Sequence, residues 1–130
     1  KDRENIMNEK IIMADLSYEI VGAAMEVHRE LGNGFLEKVY ENALMVMFRK
    51  LSLEVVQQNS ITVLFKEEIV GNYIADILVE NKIILELKVI DKITNIHRAQ
   101  VLNYLKATNV RLAIILNFKN RSLEYERIIL

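Results

Sequence analysis

The sequence predicts an α/β sandwich, one mixed β-sheet flanked by α-helices, on three observations. Apolar residues recur at helical spacing from about Ile11 to Leu51. From Leu53 the pattern changes to short apolar runs of strand length separated by polar breaks. A helical segment at about Ile96–Thr108 then stands between strands, so a helical crossover joins parts of one sheet. The expected order is α α β β β β α β β, in one domain spanning residues 1–130.

Residues 1–9 are polar and are expected to fray. The first helix runs over Ile11–Leu31, with Ile12, Leu16, Ile20, Ala23, Ala24, Val27 and Leu31 as its apolar stripe. Gly32-Asn33-Gly34 stops it, because glycine and asparagine tolerate the left-handed conformation at a helix C-terminus. A second helix follows over Leu36–Leu51, its stripe formed by Leu36, Tyr40, Ala43, Leu44, Met47, Phe48 and Leu51. At about 100° per residue Glu37 projects between Leu44 and Phe48, towards the core; the competing reading is a first-turn carboxylate facing the helix dipole. Tyr40 lies on the buried stripe, where packing with a backbone hydrogen bond is its expected role. His28, late in the first helix, either reaches a site or is a satisfied structural histidine.

Strands are expected at Leu53–Gln57 and Ile61–Phe65, with Ser60 and Lys66-Glu67-Glu68 as turns, followed by a hairpin over Asn72–Lys88. Asn95 is the expected N-cap of the third helix. On that helix His97, Gln100 and Tyr104 share one face, and Val101, Leu102 and Leu105 form the buried side. His97 either faces a phosphate near Gln100 or is exposed. Arg111–Phe118 is almost continuously apolar, as suits a central strand covered on both faces. Asn120-Arg121-Ser122 turns the chain into a last strand, Leu123–Leu130.

The hairpin carries charges inside apolar runs: Asp76 in the first strand, Glu86 and Lys88 in the second. Burying a lone carboxylate costs several kcal/mol unless it is paired or binds a metal. Glu86 and Lys88, two apart, share a face. A three-residue turn at Glu80-Asn81-Lys82, or its bulged equivalent, sets Asp76 opposite Glu86; a two-residue turn would separate them. The expected result is two carboxylates and one ammonium on one patch, suited to a hard divalent cation such as Mg²⁺. The bland alternative is a surface ion pair worth about 0–1 kcal/mol.

Composition narrows the classes. The chain has no cysteine, which excludes disulfides and thiolate metal sites, and two histidines, too few for an ordinary zinc site without carboxylates. No apolar run reaches the roughly 18 residues of a membrane span, and the charged N-terminus is unlike a signal peptide, so a cytoplasmic protein without membrane contact is expected. The net charge of −1 means that a phosphate backbone must be held by a local patch, for which Arg98, Lys106, Arg111, Lys119 and Arg121 are candidates, or through metal ions.

The residues resemble the GxxExxY proteins, small members of the PD-(D/E)XK nuclease-like superfamily. The name-giving motif stands as Gly34-Phe35-Leu36-Glu37-Lys38-Val39-Tyr40, and EVHRELG (residues 26–32), ADILVENKIILELK (residues 75–88) and HRAQVLNYL (residues 97–105) also look like the family. The resemblance implies a restriction-endonuclease-like fold and a Mg²⁺- or Mn²⁺-dependent nuclease acting on nucleic acid, DNA above all. It implies Asp76 and Glu86 as metal-binding acids, Lys88 as the superfamily lysine and Glu37 as a helix-borne acid completing the metal shell. Gln100 and Tyr104 match the Gln-x-x-x-Tyr signature of RecB-like exonucleases, beside the active site and the bound strand. Tyr104, His97 and His28 are the further substrate-side candidates. The rival reading is a non-catalytic nucleic-acid-binding or protein-interaction module that keeps the fold. A homodimer pairing the last strand through Ile128, Ile129 and Leu130 is a further expectation.

Overall fold

A computed structural model describes the backbone from residue 3 and the side chains from residue 13 onward. Its elements are α1 (Arg3–Leu31), α2 (Glu37–Lys50), β1 (Val55–Phe65), β2 (Glu68–Val79), β3 (Ile83–Lys88), α3 (Asn95–Lys106), β4 (Leu112–Asn117) and β5 (Glu124–Ile129). The five strands form one sheet in the order β1-β2-β3-β4-β5. All neighbours are antiparallel except β3 and β4, which run parallel and are joined through α3. This is the expected mixed sheet flanked by helices.

The sheet separates two apolar layers. On one face α1 and α2 bury Ile20, Ala24, Val27, Tyr40, Leu44 and Phe48 against Ile77, Leu85, Leu87, Ile114 and Leu116. On the other, α3 packs Val101, Tyr104 and Leu105 against Ile61, Ala75, Ile84, Ala113 and Ile115. Strand β4 is buried along its whole length, as its unbroken apolar run requires.

Several element boundaries differ from the sequence reading. Helix α1 starts at Arg3, so the backbone of residues 3–9 is helical rather than frayed; residues 1–2 and the side chain of Ile12 lie outside the described residues. Leu36 and Leu51 flank α2 and are exposed, while Glu41 and Met45 join its buried face. The N-cap of α3 is Thr94, not Asn95, and Tyr104 sits with the buried side of that helix while Leu102 is half-buried. The two short strands around Ser60 are one strand. Gln58, at φ +57°, adopts a left-handed conformation that turns β1 over without ending it. Val55 packs beneath α2, whereas Ile61 packs on the α3 side. Residues an even number apart would otherwise share a face, which is why the polar interval looked like a turn. The 66–68 turn tightens to Lys66-Glu67, both at positive φ, with Phe65 opposite Glu68.

The loop from α1 to α2 is tied to the loop after β4. The Tyr40 hydroxyl donates to the Gly32 carbonyl at 2.6 Å and accepts from the Phe35 N–H at 3.2 Å. Its ring stacks on Phe118 at 4.5 Å. His28 Nε2 meets the Asn120 carbonyl at 2.8 Å, and Asn33 Nδ2 donates to the Lys119 carbonyl at 3.1 Å. Gly34, at φ +110°, supplies the conformation that brings the chain into α2. These contacts set the first turn of α2, and Glu37 with it, relative to the ends of β3 and β4. Tyr40→Phe, which leaves the Gly32 carbonyl and Phe35 amide without that partner, is expected to cost about 1–2 kcal/mol in urea unfolding. Phe118→Ala, which empties a fully buried position, is expected to cost about 3–5 kcal/mol.

Candidate active site

The β2–β3 hairpin turns through Glu80-Asn81-Lys82, with Glu80 and Asn81 at φ +54° and +56°. Its register pairs Val79 with Ile83, Leu78 with Ile84 and Ile77 with Leu85. The three-residue turn therefore carries Asp76 to the position opposite Glu86. There the backbone ladder ends, and the Leu87 N–H donates to Asp76 Oδ2 at 2.7 Å. Strand β2 changes face at the same point, since Ala75 packs on the α3 side and Ile77 on the α1/α2 side. The twist in β1 falls alongside, with Gln57 opposite Ile77 and Asn59 opposite Ala75. The β1–β2 ribbon thus leaves the central sheet at one place, and Asp76 occupies it.

Leu85 and Leu87 point into the α1/α2 core, so Glu86 and Lys88 face the α3 side. Lys88 Nζ lies 3.8 Å from Glu86 Oε2 and donates to Gln100 Oε1 at 3.2 Å. Gln100 Nε2 in turn donates to the Tyr104 hydroxyl at 3.1 Å. Glu37, the first residue of α2, is exposed rather than core-facing, because it stands in the first turn at the edge of the helix layer, yet its charge is felt by Glu86 and it feels Asp76 and Lys88.

Negative charge outweighs positive here. Glu86 is 6% exposed, and its Oε1 is buried with no hydrogen-bond partner. Burial, then the Asp76 charge, push its carboxyl up to about 8, against the opposing pull of Lys88. Burial also raises Asp76, against the Leu87 N–H that favours its charged form. Glu37 is raised by burial and then by Asp76. The Tyr104 phenol is pushed up to about 12 by burial and by the Glu86 and Asp76 charges. An orphaned buried oxygen beside like-charged carboxylates is a donor set that a hard divalent cation satisfies. Among the described residues no three His, Cys, Asp or Glu side chains form a metal cage by themselves. The residues therefore fit an ion held by one or two carboxylates with waters and a substrate phosphate, the usual habit of magnesium.

Both histidines have structural partners. His28 is bound to Asn120 and packs on Phe118. His97 Nδ1 accepts the Thr94 N–H at 2.9 Å, which caps α3. Of the candidate cations, Arg98 pairs with Glu126 and Lys119 with Asp91. Glu41, one turn after Glu37, was not among the sequence candidates. It is 1% exposed and accepts from Lys38 Nζ at 3.0 Å, Gln57 Nε2 at 2.6 Å and Gln58 Nε2 at 3.0 Å. Its charge reaches Glu37 and Asp76. The signal was present in the sequence, because Glu41 stands four residues from Glu37 and three from Leu44, on the same stripe.

The family profile described as the PD-(D/E)XK nuclease superfamily matches residues 14–128. No curated protein matches the chain. Among solved structures, "Crystal structure of SSO0001" is similar in fold, with a TM-score of 0.58 at 16% identity over 72% of this chain. The chain spans 50% of the length of that structure.

The raised carboxyls give stability a definite pH dependence. Glu86 keeps its proton to about pH 8 when folded and to about 4.5 when unfolded. The folded state binds the extra proton between those values, so stability falls as pH rises through that window. Without divalent cations the Tm is expected to drop by several degrees from about pH 5 to 8, with Glu86→Gln flattening the curve and lying above wild type at the alkaline end. Thermal melts followed by circular dichroism check this.

Proposed function

The chain belongs to the PD-(D/E)XK nuclease superfamily, and from that premise we propose that it hydrolyses phosphodiester bonds of nucleic acid, DNA in the first instance, with Mg²⁺ or Mn²⁺. The observation that carries the reading is the buried, unpartnered Oε1 of Glu86 on a strand that also presents Lys88, opposite Asp76. Asp76 and Glu86, with Glu37, would hold the cation. When bound, such an ion neutralises phosphate charge and lowers the pKa of a coordinated water. Lys88 orients the attacking water and offsets the charge that grows on the phosphorus oxygens as the P–O bond breaks. Gln100 fixes the Lys88 ammonium through its Oε1, and Tyr104 fixes Gln100. The Gly34–Tyr40 segment supports kinship with the GxxExxY proteins within the superfamily, because its tyrosine and its glycine shape the loop that presents Glu37.

Purified protein is expected to cut DNA in Mg²⁺ or Mn²⁺ and not in chelator. Asp76→Asn and Lys88→Ala should each lower the rate roughly 100-fold or more, the usual effect of removing a group that stabilises transition-state charge. Cleavage that co-purifies with the protein but survives both substitutions would contradict these roles. Salt-dependent DNA affinity with no cleavage in either metal would favour the non-catalytic module.

A further inference from the structure

Beyond Asp76 the β1–β2 ribbon continues as an arm whose inner side lies over α3. Ile61 and Tyr73 are directly opposed on it, as are Val63 and Gly71. Between arm and helix lies a groove of 460 Å³, lined by Thr62, Val63, Leu64 and Tyr73 on one wall and by Asn103 and Lys106 on the other. Tyr73 is 50% exposed, and its ring stands 5.7 Å from that of Tyr104. Tyr104 bonds Gln100, and Gln100 bonds Lys88. The groove is therefore linked to the candidate active site through three adjoining side chains. Gly71 stands beside two of its lining residues: a Cβ there would lie 3.7 Å from Cε2 of the Tyr73 ring and 3.9 Å from Val63, in ordinary contact, so a bulkier side chain would crowd the ring.

A half-exposed aromatic ring, an exposed lysine and two small polar side chains beside a phosphodiesterase site match the chemistry of an unpaired nucleic acid strand. Such strands bind by stacking bases on aromatic faces and placing phosphates on cations. Inside a duplex no base face is open to Tyr73, because the base pairs cover one another. We infer that this groove holds the bases of a single strand next to the scissile phosphate, with a base against Tyr73 and a backbone phosphate at Lys106. The inference rests on the nuclease reading and adds to it that the substrate is single-stranded where it meets the arm.

The test is fluorescence anisotropy with a labelled oligothymidine and with a blunt duplex of equal length, in Ca²⁺. Single-strand affinity is expected to exceed duplex affinity. Tyr73→Ala should weaken it roughly tenfold, the scale of one lost stacking contact, while Tyr73→Phe retains it. Lys106→Ala should reduce the slope of log affinity against log salt by about one phosphate contact. Gly71→Val adds a side chain without removing a folding contact and should weaken binding as Tyr73→Ala does, with the thermal melt unchanged. Equal or tighter duplex binding, or single-strand binding indifferent to Tyr73→Ala and Gly71→Val, overturns the groove and leaves the nuclease reading intact if DNA is still cut. Binding of neither oligonucleotide, together with no cleavage, overturns both.

Discussion

One hydrogen bond, from the Leu87 amide to the Asp76 carboxylate, marks the constraint on which the rest of the site depends. Along most of the hairpin the backbones of β2 and β3 satisfy each other. At Asp76 β2 departs, and a buried amide on β3 needs another acceptor. A side-chain carboxylate takes that place, which anchors Asp76 opposite Glu86 and lets the β1–β2 ribbon swing over α3. The same departure creates the opening through which Glu37 and Glu41, from the helix layer on the other face, reach the charges of β2 and β3.

That opening is held by rigid surroundings. Strand β3 is buried from Ile83 to Leu87 between both helical layers, and β4 beside it is buried throughout. Neither can relax to give Glu86 more water. Ionising these carboxylates together is unfavourable, so Glu86 holds its proton to about pH 8, a place that a bound cation would take. Lys88 offsets part of the charge, yet its ammonium is directed by Gln100 as well as by Glu86. Burial supplies the electrostatic tension, and α3 supplies the orientation.

Much of this was legible in the residues. Acidic and basic side chains within β-branched runs marked the hairpin, and the polar interval Glu80-Asn81-Lys82 set the register that opposes Asp76 and Glu86. The helical phase of Glu37 suggested a core-facing carboxylate, and there the pattern misled: Glu37 is an exposed first-turn residue whose charge still couples to Asp76 and Lys88. Local pattern failed where tertiary structure decided. Gln58 breaks the alternation of β1 by a left-handed twist, not by a turn, and no sequence rule separates the two. Glu41 is buried because Lys38, Gln57 and Gln58 converge on it, and two of those partners come from a distant strand. His28 and His97 are bound to Asn120 and to the Thr94 cap, contacts that spacing alone could not reveal.

The central claim is that the carboxylates of Asp76 and Glu86 form a divalent-cation site. Isothermal titration of Mn²⁺ and Mg²⁺ into wild type and into the Asp76→Asn, Glu86→Gln double variant tests it most directly. Binding by the wild type near neutral pH, with proton release as the Glu86 carboxyl ionises, and its loss in the double variant are the expected result. The same binding heat in both proteins would place the cation elsewhere and contradict the account.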